Sequence, residues 1–591
     1  MESSPASTPD RAPSPWRRFA PVLLLFLLPL AVRAAALGHG GQRGYVPDTH
    51  IVRSALGMAR DMNPVPPVGK YSVYPNLLPY CLLPLYATDF VFGRMSGRWD
   101  GKEGYKAHLQ LHPAEAHHIA RWLILLLGSL TPLVLFHGAR AAGLGPGAWV
   151  TGALAASCLL LLQFCTQERP WAPLTTFIAF AAWGSIAHVR SGSLRPLFLC
   201  GVAAGLAFAT HQAGLMALGL AGLAWLMGPL HWRGSRALGA RLKVGVLCVV
   251  LFALVAVIIG HPYWLVHGPT ASQAVVGGAA QNEALGAWTI GGMTLVPTLR
   301  LQSFAPLFRA LVGYDPLLLF MGLAGLPLAF ACRALGPVLL WILLTGALFL
   351  TAQSDHVRYL LPTLVLLALP AGFLGERLSA RPLGVLLLAL LLLLPLVQGL
   401  RFVTLLRRAD TRAQAELQLA QLAPGALVAI DRYGPIVELS RDALERLARM
   451  RAAAGGELYG RERFRLELLE LGAFLEPDLG RDALRLEDCF DFNERERSVA
   501  VREGLREWAA TPRALLDEFG VTHLLAVRRR GDSEPHLLAS ELKGLALLWS
   551  IDPSSGEGGG ETFLPLEMEF PLTALWTVER PGPRLDLYAL P

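Results

Sequence analysis

Long apolar stretches with almost no charge constrain this chain more than any other feature. Several of them, such as residues 383–400, run for about 18–20 residues, which is the length that a helix needs to cross ~30 Å of hydrocarbon. Only 16% of the residues are charged, whereas soluble globular proteins average roughly 25%. The sequence therefore predicts a polytopic α-helical membrane protein.

Eleven segments are predicted to span the membrane. They are 19–37, 119–137, 147–165, 171–188, 195–210, 212–229, 244–262, 315–332, 336–352, 358–375 and 383–400. Residues 76–93 are ambiguous, because Pro79 and Pro84 should interrupt a helix there and Asp89 would enter hydrocarbon.

The placement of the arginines orients these spans. Arg17 and Arg18 precede the first span and put the N-terminus inside. If residues 76–93 lie along the membrane interface, the predicted cytoplasmic loops carry a large set of basic residues: Arg140, Arg190, Arg195, Arg233, Arg236, Arg241, Lys243, Arg333, Arg377 and Arg381. The opposite turns then carry almost only Arg169 and Arg358, which is a positive-inside pattern. If residues 76–93 spanned the membrane, every later loop would change sides and the charge bias would oppose the topology. We therefore interpret residues 76–93 as an interfacial or re-entrant helix.

This topology divides the chain into three parts. Residues 1–18 are predicted to be a disordered cytoplasmic N-terminus, and residues 19–400 a transmembrane domain with outer loops 38–118 and 263–314. Residues 401–591 have the charge density of a soluble protein and are predicted to form a periplasmic α/β domain. Its predicted elements are helices at 411–422 and 440–454 and strands at 425–431, 523–529 and 584–590.

Net charge and cysteine placement exclude several classes of function. The net charge of +7 comes from arginines scattered in short loops between apolar runs, so nucleic-acid binding is not expected. Six of the seven cysteines lie in or next to apolar segments, which leaves Cys489 alone in the polar tail and predicts no disulfide there. The sequence shows no C-x-x-C motif or His/Cys cluster that would predict a metal site.

Candidate catalytic and binding residues gather at the predicted outer ends of the spans. Asp48 follows Pro47 shortly after the first span and begins a helix, so its local sequence alone also fits a helix N-cap. Lys70, Tyr71 and Tyr74 open the interfacial segment, where an aromatic belt with a snorkelling lysine is the alternative interpretation.

Two further groups lie on the same predicted side. Glu168 and Arg169 share a short turn, in which the two charges could simply neutralise each other. His356, Arg358 and Tyr359 precede a late span. The planar fork of an arginine matches phosphate oxygens, and anchoring to lipid headgroups is the alternative.

His261 and Tyr263 follow another span on this side, where a satisfied interfacial histidine is the alternative. The lone His211 between two apolar segments is a weaker candidate. Together these groups place a carboxylate, a lysine, an arginine and several aromatic rings at the depth of the bilayer surface. A lipid-linked phosphate would present its headgroup there.

The order and sidedness of six segments resemble the GT-C integral-membrane glycosyltransferases, in particular the protein-mannosyltransferase and aminoarabinose-transferase-like branch, family 39. The segments are PD (47–48), YPNLLPY (74–80), RPWAPL (169–174), ATHQAGL (209–215), GHPY (260–263) and VRYLLP (357–362). The resemblance implies a GT-C-like catalytic domain over residues 19–400, in the cell inner membrane, with the α/β domain appended on its outer face.

The resemblance also implies a chemistry. The donor would be a sugar on a polyprenyl phosphate, transferred with inversion to a lipid, glycan or protein acceptor. Asp48 would be the general base, and Lys70 and Arg358 would stabilise the phosphate leaving group. The other candidates would bind donor phosphate or substrate: Tyr71, Tyr74, Glu168, Arg169, His261, Tyr263, His356 and Tyr359. The resemblance implies no particular cofactor, and it leaves open whether a divalent metal takes part.

Two positions depart from the family pattern. Thr49 stands where many relatives have an acidic residue, and Trp171 stands where many have an aspartate in the second outer turn. Glu168 is a candidate replacement. These departures leave the metal dependence and the type of acceptor open. They also leave open whether the chain is a divergent or inactive member of the family.

Two other functions stay open beside the transferase. A transporter or lipid flippase would predict inverted repeats and discontinuous spans with polar residues at the midplane, and the sequence shows no repeat. A non-catalytic envelope-assembly scaffold would tolerate the loss of Asp48. The transferase is the interpretation that we favour.

The predicted topology is tested by cysteine accessibility. Single cysteines introduced within residues 95–118 are expected to react with a membrane-impermeant maleimide added outside, because this loop is predicted to be extracytoplasmic. Arg190→Cys, in a predicted cytoplasmic loop, serves as the protected control. Labelling of 95–118 from the cytoplasmic side only would overturn the eleven-span topology.

Overall fold

The structure is a computed structural model, and it describes most of the chain. The described residues are 15–40, 50–66, 74–228, 235–267, 288–290, 293–295, 304–349, 357–431, 433–453, 457–458, 460–470, 480–486, 516–528, 544–554 and 571–591. The chain forms two compact units. The first comprises Met1–Ala35, Arg53–Cys81 and Arg121–Leu400, and the second comprises Ala36–Val52, Leu82–Ala120 and Arg401–Pro591.

Helices dominate the described residues up to Leu406. Their bounds are Pro15–Val22, Leu23–Leu27, Leu28–Ala34, His50–Asp61, Leu77–Met95, Lys102–Leu111, Pro113–Ser129, Thr131–Ala142, Pro146–Ser157, Leu159–Cys165, Trp171–Ser191, Leu194–Thr210, Gln212–Ala217, Leu218–Met227, Ser235–Val255, Ala256–Gly260, Tyr263–His267, Phe304–Tyr314, Pro316–Ala329, Arg333–Leu335, Gly336–Phe349, Val357–Leu360, Leu361–Leu366, Ala368–Ser379 and Pro382–Leu406. The short strands β1 (Trp288–Ile290) and β2 (Met293–Leu295) pair antiparallel.

Within the described residues, five helices are long and apolar enough to cross a membrane, or seven if each of two bent helix pairs is one span. Four further apolar helices are shorter: Phe19–Ala34, Leu194–Thr210, Gln212–Met227 and Arg333–Phe349. All the predicted spans fall on these helices and bent pairs. The number of segments that cross a membrane stays a prediction.

The predicted span at 147–165 is broken in its middle. Pro146–Ser157 and Leu159–Cys165 meet at 54°, because Cys158 leaves the helical conformation with ψ 114°. The carboxylate of Asp315 accepts hydrogen bonds from the amides of Leu159 (2.7 Å) and Leu160 (3.0 Å). A helix start leaves such N–H groups without partners, so a buried carboxylate stabilises the break.

The other side of this break carries the opposite charge. Arg33 is 1% exposed, and its Nη2 donates to the carbonyl oxygen of Ala156 at 2.8 Å. A cation beside the carbonyl end of one helix and a carboxylate at the amide end of the next both complement the helix dipoles. The charges of Arg33 and Asp315 therefore match the two helix ends that meet there.

The helix Leu77–Met95 is continuous, so the interruption expected at Pro79 and Pro84 was wrong. Pro79 lies in the first turn, where a helix needs no amide donor. Pro84 lies inside the helix, which continues past it. This helix is not among the candidate spans by length and composition, and its interfacial placement stays a prediction. Asp89 accepts a hydrogen bond from the Tyr105 hydroxyl at 3.0 Å.

Glycines let helices of the first unit approach closely. A Cβ atom added at Gly325 would collide with the carbonyl group of Pro370, on the helix Ala368–Ser379. A Cβ atom added at Gly147 would likewise collide with the carbonyl oxygen of Gly372. Helix pairs in membranes commonly pack through such small residues, because apolar side chains gain little from leaving apolar lipid.

The second unit contains a five-stranded sheet. Its strands are β3 (Val428–Ile430), β4 (Ala483–Arg485), β5 (His523–Arg528), β6 (Ala546–Ile551) and β7 (Arg584–Ala589). Their order is β4-β3-β5-β7-β6; β3 pairs parallel with β4 and β5, whereas β7 pairs antiparallel with β5 and β6. The accompanying helices are Thr411–Leu419, Arg441–Ala453, Gly460–Glu470 and Leu572–Thr577. Strands and helices thus lie at each position predicted for the tail, and β4 and β6 are additional.

Apolar side chains cover both faces of this sheet. Val428 and Ile430 belong to one buried cluster, whereas Leu427 and Ala429 belong to another. Successive side chains of a strand point to opposite faces, so this alternation shows that β3 is buried on both sides.

The close approach at Gly325 is expected to be essential for packing. Gly325→Ala should lower the apparent melting temperature of the purified protein by several degrees, because overpacking costs about 1–3 kcal/mol. Gly346→Ala is the matched control, since a Cβ there would meet nothing within 4 Å. Equal melting temperatures for the two variants, measured in the same detergent, would contradict this account.

Candidate functional site

Four aromatic side chains from separate segments meet in the first unit, and we call them the aromatic cluster: Tyr74, Trp171, His211 and Tyr359. The Trp171 ring lies 4.5 Å from the His211 ring and 4.8 Å from the Tyr359 ring, between centroids. The Tyr74 ring lies 5.5 Å from that of His211. Rings at these separations in tilted or edge-on arrangements attract one another beyond their buried area. Four of the sequence motifs therefore form one site.

A cation stands beside this cluster. The guanidinium carbon of Arg358 lies 5.8 Å from the centre of the Tyr359 ring, within the range of a cation–π interaction. Both residues belong to the short helix Val357–Leu360, which follows residues outside the described part of the chain. The site thus combines apolar ring surfaces with a permanent positive charge.

A buried ion pair supports the turn that leads to Trp171. Arg121 Nε donates to Glu168 Oε1 at 2.9 Å, and the two side chains are 4% and 0% exposed. Arg121 comes from the helix Pro113–Ser129, and Glu168 from the turn before the helix Trp171–Ser191. The neighbouring Arg169 is also buried. Glu168 therefore does more than neutralise Arg169, because it forms an ion pair with Arg121 from another helix.

The GHPY segment lies against the YPN segment. The backbone amide of Asn76 donates to the carbonyl oxygen of Gly260 at 2.9 Å. His261 is buried, its Nδ1 lies 2.6 Å from the Tyr263 hydroxyl, and its ring stacks on that of Trp264 at 4.5 Å.

Two polar atoms of this segment are buried without a hydrogen-bond partner in the described part of the chain. They are Nε2 of His261 and Nε1 of Trp264. Buried polar atoms normally have partners, because leaving one unpaired costs about 1–3 kcal/mol. An indole N–H can only donate, so a ligand oxygen would satisfy Trp264.

Several predicted site residues are brought together, and others are outside the described residues. Tyr74, Arg358 and Tyr359 lie in or beside the aromatic cluster, and Glu168 and Arg169 lie in the turn that precedes its Trp171. Asp48, Lys70, Tyr71 and His356 fall outside the residues that the structure describes. Their predicted roles stay predictions. Among the described residues, no group of three His, Cys, Asp or Glu side chains is arranged to hold a metal ion.

Sequence reasoning missed Arg33 and Arg121 and underrated His211. Arg33 and Arg121 lie inside the predicted spans 19–37 and 119–137. Ionisable residues in a span are costly and therefore suspect by default, so this signal was present in the sequence. His211 was recognisable only as a lone histidine, since its neighbours in the cluster come from distant segments.

The buried pair is expected to be sensitive to the loss of one partner. Glu168→Gln should lower stability by roughly 3–5 kcal/mol, because it leaves the Arg121 charge buried without its counterion. Arg121→Met combined with Glu168→Leu should recover much of that loss. Thermal unfolding of the purified variants measures both effects.

An exposed pair supplies the control. Arg463 and Glu467 form an ion pair with side chains 61% and 49% exposed, so Glu467→Gln should cost less than ~1 kcal/mol. If Glu168→Gln were as mild as Glu467→Gln, the buried pair would not be a determinant of stability.

Comparison with known proteins bears on the segment that carries this pair. The family model described as dolichyl-phosphate-mannose-protein mannosyltransferase matches residues 114–259, which include Arg121, Glu168, Trp171 and His211. No curated protein matches the chain.

Two solved structures that resemble this chain have low sequence identity to it. ArnT from Cupriavidus metallidurans, bound to undecaprenyl phosphate, is 18% identical with a TM-score of 0.42, over 69% of this chain and 66% of that chain, slightly less than two thirds of its length. The oligosaccharyltransferase of Archaeoglobus fulgidus in the apo form is 10% identical with a TM-score of 0.41, over 94% of this chain and 77% of that chain. The family match over residues 114–259 confirms the resemblance to the GT-C, protein-mannosyltransferase-like enzymes.

Proposed function

We propose that this protein transfers a sugar from a polyprenyl-phosphate donor to an acceptor at the outer face of the inner membrane. The observation that carries the proposal is the convergence of the aromatic cluster, Arg358 and the buried Arg121–Glu168 pair. Four of these residues, Arg121, Glu168, Trp171 and His211, lie within the segment that matches the mannosyltransferase family model. The description of that family names mannose on dolichyl phosphate. Dolichyl phosphate is one kind of polyprenyl phosphate.

The chemistry of the site suits the headgroup of such a donor. Arg358 supplies a planar, permanently charged fork that matches phosphate oxygens. The rings of Trp171 and Tyr359 offer apolar surface for the less polar face of a sugar. The indole N–H of Trp264, which lacks a partner in the described part of the chain, supplies a further contact for a ligand oxygen.

In the proposed reaction, Asp48 is the general base. It accepts the proton of the acceptor hydroxyl, and the acceptor oxygen forms a bond to the anomeric carbon. The bond between that carbon and the lipid phosphate breaks on the opposite face, so the configuration inverts and the electron pair leaves with the phosphate. Lys70 and Arg358 stabilise the charge on the departing phosphate.

The positive-inside pattern supports placing this reaction outside the cytoplasm. The predicted outer turns contain Glu168, His211, His261 and Arg358, and these residues come from four different turns. The appended domain at 401–591 would lie on the same side and contribute to the choice of acceptor.

A lipid or solute transporter is the second candidate, and a specific observation favours it. Two helix pairs are bent, by 54° and 119°, and the buried Asp315 lies where both breaks meet. Discontinuous helices with polar residues at the break are common in transporters. The family match favours the transferase, because the matched family is described as a mannosyltransferase.

The experiment compares two aspartates of the same predicted loop. Asp48→Asn should abolish release of sugar from polyprenyl-phosphate mannose, and from a panel of other polyprenyl-phosphate sugars, in nanodiscs supplied with cell-envelope acceptors. Asp100→Asn, at an exposed position, should retain the wild-type rate. Labelled product and remaining donor are both quantified.

The outcomes separate the candidates. Transfer retained by Asp48→Asn would remove Asp48 from the mechanism. Movement of intact lipid-linked sugar across the bilayer, with no transfer by the wild-type protein to any acceptor, would support the transporter instead.

A further inference from the structure

His211 is a buried residue to which the proposed reaction gives no role. It lies between Leu194–Thr210 and the short helix Gln212–Ala217, in extended conformation with φ −157° and ψ 145°. Its side chain is only 3% exposed and contacts the rings of Tyr74 and Trp171. The residue therefore stands at the centre of the aromatic cluster.

One hydrogen bond determines which nitrogen of this imidazole carries the proton. The amide of Ala213 donates to Nδ1 of His211 at 3.1 Å. A backbone amide can only donate, so Nδ1 must present its lone pair. The neutral ring then carries its hydrogen on Nε2. His211 is consequently a hydrogen-bond donor at Nε2 and has no lone pair there with which to accept a proton.

The surroundings keep the ring neutral. Burial and, to a smaller extent, the positive charge of Arg358 lower the pKa of His211 to about 3. Protonation would also require Nδ1 to give up its bond to Ala213. Within the described part of the chain, Nε2 has no hydrogen-bond partner. An N–H donor without such a partner, on a buried ring that is influenced by an arginine, fits an anionic oxygen.

We propose that Nε2 of His211 donates a hydrogen bond to a phosphate oxygen of the polyprenyl-phosphate donor and takes no part in proton transfer. This rests on the proposed function, since it names a contact of the same site. Arg358 would supply the charge and His211 a directed, uncharged donor. An uncharged donor suits a buried ring at this position, because a buried imidazolium beside the positive charge of Arg358 would be costly.

His211 has two roles that substitution can separate. Its Nδ1 accepts from the Ala213 amide, which we call the cap, and its Nε2 is the proposed donor. His211→Gln retains the donor, because the glutamine amide nitrogen lies as far along the side chain as Nε2 of histidine, but it has no acceptor at the position of Nδ1. His211→Ser retains a capping oxygen, but its short hydroxyl does not reach the phosphate. A purely structural role of His211 as a cap predicts that the Ser variant binds the donor better than the Gln variant.

The test measures binding and turnover in nanodiscs. For the Ser variant, the KM for polyprenyl-phosphate mannose and the dissociation constant for undecaprenyl phosphate should both rise roughly 10–100-fold, as expected for the loss of a hydrogen bond to a charged group. The Gln variant should stay within about threefold of wild type. All three proteins should have the same pH profile for kcat.

Each other outcome is informative. Wild-type undecaprenyl phosphate binding in the Ser variant would overturn the proposal, and so would equal loss of binding in the Ser and Gln variants. A changed pH profile for kcat in the Gln variant would contradict a role without proton transfer. Because undecaprenyl phosphate binding needs no turnover, its dependence on His211 can hold even if no transfer is found, in which case only the proposed function fails.

Discussion

The buried ion pair between Arg121 and Glu168 is the interaction on which the candidate site depends. Taking two charges out of water costs several kcal/mol for each ion, and only good geometry offsets this cost. The 2.9 Å contact between nearly unexposed side chains meets that condition. It joins one apolar helix to the turn that begins the next, and Trp171 is the first residue of that helix. The Trp171 ring of the aromatic cluster thus follows a turn that is held in place by an ion pair.

The same principle explains the break in the helix pair at Cys158. An apolar helix interrupted inside apolar surroundings would leave amides and carbonyls without partners. Asp315 accepts from two of these amides, and Arg33 donates to a carbonyl on the other side. Opposite charges at opposite helix ends make the interruption tolerable. A break of this kind is a feature that transporters and transferases can share, so it does not by itself decide between them.

Sequence patterns predicted the local elements better than the contacts between them. Apolar runs gave the positions of the helices, because hydropathy and length act within a single segment. The helix Leu77–Met95 was misjudged, since a proline in the first turn carries no penalty and Pro84 is accommodated. The strands β4 and β6 were missed. β4 has only three residues, and β6 is an edge strand that exposes Leu547 and Leu548 instead of burying alternate residues.

The site was predictable in its members and not in its geometry. Tyr74, Arg358 and Tyr359 were candidates because sidedness puts them at one surface, which the arginine pattern already indicated. The pairing of Glu168 with Arg121 was not foreseeable from the turn itself, where Arg169 is the nearer cation. Such choices depend on how helices pack, and packing is set by contacts such as those at Gly147 and Gly325 that no local pattern reports.

The division of charge within the site has a consequence for the proposed mechanism. The histidine of the aromatic cluster is neutral near pH 7, because burial lowers the pKa of His211 to about 3. The positive charge near the rings therefore comes from arginine, which does not titrate in the range where proteins work. Phosphate binding would then be insensitive to pH near neutrality. In this scheme the proton of the acceptor hydroxyl has one destination, the Asp48 carboxylate, so that base alone would set the acid limb of the rate profile.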